Sequence, residues 1–84
     1  MNPEPLFISS GLAITSIRQV GNDGKHLKLE VSKGNKKKGA IAFGLGNVKL
    51  ELGDKIDIVY NLSINQWNGN REIQLMIKDI KKNG

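Results

Sequence analysis

The side chains with most chemical capacity in this 84-residue chain are its cations and a single indole. Thirteen lysines and arginines outnumber eight aspartates and glutamates, for a formal charge of +5 and a pI near 9.7. Such an excess favours a polyanionic partner: nucleic acid, an acidic peptide or an anionic membrane surface. Lys25 and Lys28 flank the lone His26, Lys36, Lys37 and Lys38 form a run, and Arg71 follows Trp67-Asn68-Gly69-Asn70. Cations in such places would hold phosphates, the triple lysine either doing so or only solvating a loop. Trp67 could stack on a base, an interaction worth about 1–3 kcal/mol. It could equally cover the end of the domain or pack against a neighbouring one. His26 could stack on or hydrogen-bond to a base, or simply face solvent.

Catalysis finds little footing. A metal-dependent hydrolase needs carboxylates and imidazoles that converge on one point. Here Asp23 and Asp54 fall in predicted turns, while Asp57 and Glu72 fall on strand faces among lysines. One histidine is no metal site, and it has no serine or cysteine placed for nucleophilic work. Gly44-Leu45-Gly46-Asn47 is not a phosphate loop, since no Lys-Ser pair or useful length of helix follows it. The absence of cysteine removes disulfides and thiolate metal sites and suits a reducing, cytoplasmic setting. No apolar run approaches the roughly 20 residues of a membrane span, and no basic amphipathic helix can be drawn, so no membrane partner is expected. The opening Met1-Asn2-Pro3-Glu4-Pro5 lacks the basic and apolar regions of a secretory signal.

The elements that must position these groups are strands. Alternation of period two runs through most of the chain and is punctuated by glycine and asparagine. Residues 1–12 carry both prolines and are expected to be a linker from a preceding domain, with the first strand over 13–20. Gly21-Asn22-Asp23-Gly24 forms a tight turn of residues that tolerate positive φ. A second strand over 26–33 sends Leu27, Leu29 and Val31 one way and His26, Lys28, Glu30 and Ser32 the other. The lysines at 36–38 are expected in a loop. A short third strand over 40–44 would turn Ile41 and Phe43 to the core and the alanines away.

A long fourth strand follows, with Ile56, Ile58, Tyr60, Leu62 and Ile64 in one row. Asn68-Gly69 is a strong type I′ signal, because both central residues of that turn need positive φ. It pairs Trp67 with Asn70, hence Ile64 with Ile73, Leu62 with Leu75 and Tyr60 with Ile77. The alternation slips at Lys78-Asp79-Ile80, which marks a bulge or a strand end. The domain is expected over 13–80, with a frayed tail over 81–84. Five strands with one apolar face each, and no long helix, bury those faces most economically in a closed barrel. OB and SH3-like barrels both fit. The long first and fourth strands favour the all-β, five-stranded OB (Greek-key) barrel, although the connection between strands three and four is too short for the helix usual there.

Several segments carry a likeness as well. His26-Leu27-Lys28-Leu29, Ala40-Ile41-Ala42-Phe43-Gly44, Gly53-Asp54-Lys55-Ile56-Asp57-Ile58-Val59-Tyr60, Ile64-Asn65-Gln66-Trp67-Asn68-Gly69 and Ile77-Lys78-Asp79-Ile80 occur in an order that resembles the OB domain of the RecJ family. These are bacterial single-stranded-DNA-specific exonucleases. Asn2-Pro3-Glu4-Pro5-Leu6-Phe7 looks like the hand-over from the preceding domain of that family. The resemblance implies a fragment of an enzyme that removes nucleotides 5′ to 3′ in recombination and repair. Such enzymes use manganese or magnesium held by aspartates and histidines, including an Asp-His-His motif. None of those ligands carries over, so no cofactor is expected in this fragment and the metal would sit in the absent catalytic domain.

The expectation is therefore a non-catalytic domain for single-stranded DNA, with Lys25, His26, Lys28, Lys36, Lys37, Lys38, Trp67, Asn68 and Arg71 as candidate contacts. OB folds usually bind over strands two and three, between the first and last hairpin loops. The alternative is a protein-interaction module that braces the catalytic domains of the same parent chain. Its basic face could instead receive an acidic peptide such as a single-strand-binding-protein tail. An RNA-binding barrel is a third reading.

Overall fold

The structure, a computed structural model, describes residues 5–83, without the side chain of Trp67. Five strands, β1 (Phe7–Val20), β2 (His26–Lys33), β3 (Lys36–Ala42), β4 (Lys55–Trp67) and β5 (Asn70–Asn83), are joined with one 3₁₀ turn over Asn22–Gly24. They close into a barrel in the order β1-β2-β3-β5-β4. Every neighbouring pair is antiparallel except β3 with β5. This is the five-stranded OB barrel that the alternation predicts.

Leu27, Leu29 and Val31 of β2 are buried while Lys28 between them is exposed, as their spacing requires. Asn68 at φ 47° and Gly69 at φ 77° turn β4 into β5. The expected pairs Trp67–Asn70, Ile64–Ile73, Leu62–Leu75 and Tyr60–Ile77 all form. The slip appears too: Tyr60 faces Ile77 and Val59 faces Asp79, so Lys78 is the extra residue of a bulge.

Three boundaries differ from the expectation. β1 begins at Phe7, within the stretch expected as linker. Its pairing with β4 jumps between Ser9 and Leu12, where Gly11 takes φ 69°. That bulge breaks the period-two pattern and hides the strand in the sequence, yet Leu12 beyond it is buried. β5 runs on through Lys81 and Lys82 to Asn83, all paired with β4 instead of fraying. β3 occupies Lys36–Ala42 instead of 40–44, because Gly34-Asn35 is a two-residue hairpin that pairs Lys33 with Lys36. Gly34 at φ 61° supplies the positive φ of the first turn position.

The faces of β3 are also reversed. Ala40 and Ala42 lie in the core, opposite Leu29 and Leu27, whereas Phe43 is 58% exposed. A narrow barrel interior selects by volume, and small side chains fill it where strands crowd.

No helix bridges β3 and β4; residues 43–54 cross one end of the barrel as successive turns. Leu45, Val48 and Leu50 from this crossing pack on the core. At the other end, near the β4–β5 hairpin, Leu62, Ile64 and Ile73 stay exposed.

Asp57 ties three strands together. Its Oδ1 accepts from the Gly11 backbone N–H and from Asn83 Nδ2, both at 2.9 Å. These donors, the backbone one first, hold the Asp57 carboxyl below its ordinary value, with Lys81 and Lys33 adding to the effect. A carboxyl depressed in the folded state contributes stability above its unfolded pKa of about 3.9 and loses it as pH falls through the folded value. Thermal midpoints measured from pH 7 to pH 2 should therefore fall more steeply in the native chain than in Asp57→Asn. Parallel curves would show that the carboxylate has no such role.

Candidate nucleic-acid interface

The outer face of β2 and β3 gathers the charged and aromatic groups. Inward residues of β3 alternate with Lys37, Gly39, Ile41 and then Phe43, which stand opposite Ser32, Glu30, Lys28 and His26. β1 extends these rows with Arg18 beside Lys28 and Ser16 beside Glu30. β5 adds Gln74 beside Gly39 and Met76 beside Ile41. The result is a cation pair, Arg18 and Lys28, next to half-buried apolar side chains and an exposed ring.

That ring is fixed in place. Phe43 meets His26 edge to face, with centroids 5.1 Å apart and planes at 76°. His26 Nδ1 accepts from the Gly44 N–H at 2.8 Å, which puts the proton of the neutral imidazole on Nε2. The first loop and the β3–β4 crossing are clasped just behind this pair. Gly46 N–H donates to the Lys25 carbonyl at 2.8 Å, and Gln19 Nε2 donates to the Gly46 carbonyl at 2.7 Å. A Cβ on Gly46 would overlap the Gly24 carbonyl oxygen and press on the Lys25 carbonyl carbon at 2.6 Å. Glycine is required here by contact, not by φ.

A second feature is the open barrel end. A cavity of about 420 Å³ is lined by Leu12, Val31, Tyr60, Leu62, Ile73 and Leu75, with Lys33, Lys36 and Lys38 around it. Ser9 Oγ and Tyr60 Oη share a hydrogen bond of 2.8 Å at its wall.

Comparison with known proteins places this geometry in a family. The RecJ OB domain profile matches residues 1–79. The chain belongs to the RecJ OB-domain family. It is 30% identical over 81 residues to the single-stranded-DNA-specific exonuclease RecJ of Bacillus subtilis, covering 94% of this chain and 10% of that protein. RecJ of Thermus thermophilus, solved with Mn2+, superposes at a TM-score of 0.72 with 29% identity, over 99% of this chain and 12% of that one. The chain thus spans about a tenth of the length of these relatives. The mitochondrial single-stranded DNA binding protein Rim1 of S. cerevisiae matches at a TM-score of 0.68 over 95% of this chain and 94% of its own. At 11% identity that likeness shows the shared fold.

In this RecJ OB domain the candidate contacts do not form one cluster. His26 and Lys28 lie on the outer face, with Lys25 at the mouth of the first loop. The triple lysine sits in β3, where alternation splits it: Lys37 stands on the outer face, while Lys36 and Lys38 line the open end. Arg71 and Asn68 lie at the β4–β5 hairpin, whose Leu62 and Ile73 line this same end. From Lys37 to Ala42, the residue before Phe43, β3 spans about 17 Å at 3.3 Å per residue. The backbone of Trp67 pairs as expected, and its side chain lies outside the described residues. Among the described residues, no three His, Asp, Glu or Cys side chains gather as a metal site. Phe43, assigned to the core from its hydrophobicity, is the site residue that the sequence missed. The Gly34-Asn35 hairpin held the signal, since it puts Phe43 opposite His26.

Gly46→Ala should force the two loops apart. Overpacking of this kind costs about 1–3 kcal/mol, which for a domain of this size lowers the thermal midpoint by about 4–8 °C per kcal/mol. An unshifted melting curve would show that the clasp yields without strain.

Proposed function

We propose that this barrel is the single-stranded-DNA-binding, non-catalytic domain of a RecJ-like 5′→3′ exonuclease that acts in DNA recombination and repair. The observation that carries the reading is Phe43: a large ring left exposed, braced by His26, on the same face as Arg18 and Lys28. Exposed aromatics accept bases whatever their sequence, while neighbouring cations follow the phosphates. The Bacillus subtilis relative, whose name specifies single-stranded DNA, supports the same class of ligand. On this reading the barrel leads the strand toward catalytic domains of the same cytoplasmic parent chain. Manganese or magnesium would serve those domains and not this one.

The test is anisotropy of labelled oligothymidylate titrated with the 84-residue chain. Phe43→Ala should weaken binding by about 1–3 kcal/mol, roughly 5- to 150-fold. Binding should fall with salt at a log–log slope of about −0.7 per phosphate engaged. Arg18→Ala and Lys28→Ala should each flatten that slope. No anisotropy change at low salt would overturn the reading.

The open end favours a second role for the same domain. An apolar cavity ringed by Lys33, Lys36 and Lys38 suits an acidic peptide that also carries apolar side chains, such as the tail of a single-strand-binding protein. Lys36→Glu/Lys38→Glu should abolish capture of such a labelled peptide while oligothymidylate binding persists. Arg18→Glu/Lys28→Glu should do the reverse. If both pairs of substitutions affected both ligands alike, the two sites would not be separate.

A further inference from the structure

The centre of the outer face holds a carboxylate where a purely electrostatic DNA track would hold another cation. Glu30 pairs with Ser16 on one side and Gly39 on the other. Thr15 is the extra residue of the β1 bulge, since Ile14 pairs with Val31 and Ser16 with Glu30. The bulge aims Thr15 Oγ1 at Glu30, where it donates to Oε1 at 2.8 Å and approaches the Glu30 carbonyl at 3.2 Å. Arg18 and Lys28 line the same hollow. Yet among the described residues neither comes within ion-pair distance of Glu30. The carboxylate is therefore held by a neutral hydroxyl, with acceptor capacity to spare.

Gly39 forms the floor beside it. A Cβ there would meet nothing within 4 Å, and its φ is not positive. The β2–β3 ladder passes through it without a shift and the β3–β5 ladder begins at it, so it marks no bulge. Neither crowding nor backbone conformation calls for glycine at this position. A mid-strand glycine that marks no bulge marks a tight bend at a barrel corner or a close approach by another group, and the open space over Gly39 is where a ligand could make that approach. The hollow above it measures about 370 Å³ and is bounded by Ser16, Arg18, Lys28 and Glu30.

We propose that this hollow is a base-reading subsite, in which Glu30 accepts a hydrogen bond from the exocyclic amine of a nucleobase lying over Gly39. The inference rests on the DNA-binding reading above and adds selectivity to it. A carboxylate offers acceptors only. Cytosine presents an N4 amine to it, whereas thymine presents the O4 carbonyl at the same place, so the two pyrimidines are told apart. Thr15 is a positioning residue that keeps the carboxylate facing the hollow.

The experiment compares Kd for oligodeoxycytidylate and oligothymidylate of equal length, with the native chain and with Glu30→Gln and Thr15→Val. The native chain should prefer the cytidylate by at least about fivefold, the lower bound for a good base-edge contact. Glu30→Gln, whose amide both donates and accepts, should bring the ratio close to one, and Thr15→Val should lower it partway. Glu30 lies on the surface, so circular dichroism should show an unchanged fold. Equal binding of both oligomers by the native chain overturns the inference and leaves the DNA-binding reading intact. A ratio that survives Glu30→Gln also overturns it. Failure of both oligomers to bind overturns the inference and the DNA-binding reading together.

Discussion

β3 must close the barrel, and it does so through a parallel ladder with β5 of only Gly39, Ala40 and Ile41. At that junction the core receives Leu27 and Leu29 from β2 and Leu75 and Ile77 from β5. Little volume is left, and Ala40 and Ala42 fill it with no exposed surface. Side chains on a strand alternate, so inward alanines oblige Ile41 and Phe43 to face out. The aromatic on the outer face is thus a consequence of closure. A larger residue at 40 or 42 would compete with four branched side chains for the same space, and overpacking destabilises much as a cavity does.

The two ends of the cylinder solve different problems. One is filled by Leu45, Val48 and Leu50 from a crossing that contains no helix, and is locked by the contact of Gly46 with the Gly24–Lys25 backbone. Because that lock lies immediately behind His26 and Gly44, the Phe43 ring is preset before any ligand arrives. Preorganisation of this kind lowers the ordering cost of binding. The opposite end keeps Leu62, Ile64 and Ile73 in contact with water, beside lysines. An apolar, cation-rimmed opening and a rigid aromatic face are different chemistries, and β3 serves both through opposite sides of one strand.

Much of this was legible from alternation and turn chemistry. β2 and the β4–β5 hairpin follow from period two and from Asn68-Gly69, down to the bulge at Lys78. What escaped did so for physical reasons. The first half of β1 is masked by the bulge at Gly11, which breaks the pattern that would reveal a strand. Hydrophobicity picks the wrong face of β3 because it ranks isoleucine and phenylalanine above alanine, whereas a crowded interior ranks by size. Gly34-Asn35, taken as a two-residue turn, would have corrected it: Lys33 then meets Lys36, and Leu29 meets Ala40. The same turn shows why three consecutive lysines cannot form one patch, since two neighbours on a strand never share a face.

The two informative glycines argue from opposite circumstances. Gly46 has no room for a side chain, and Gly39 has room that no side chain uses. The first is explained by its contacts, and the second opens onto the hollow beside Glu30, which makes Gly39 the better pointer to function. A barrel of this size offers a short groove with few contacts, so its grip on a strand would be weak in isolation. Joined to the much longer chain implied by its relatives, the same groove would act at the high effective concentration of a tethered site. On the proposed exonuclease reading, weak and fast contacts suit a strand that must keep moving, and tight binding would oppose that movement. A selective hydrogen bond at Glu30, added to non-selective stacking at Phe43, would alter the dwell time from base to base without arresting the strand.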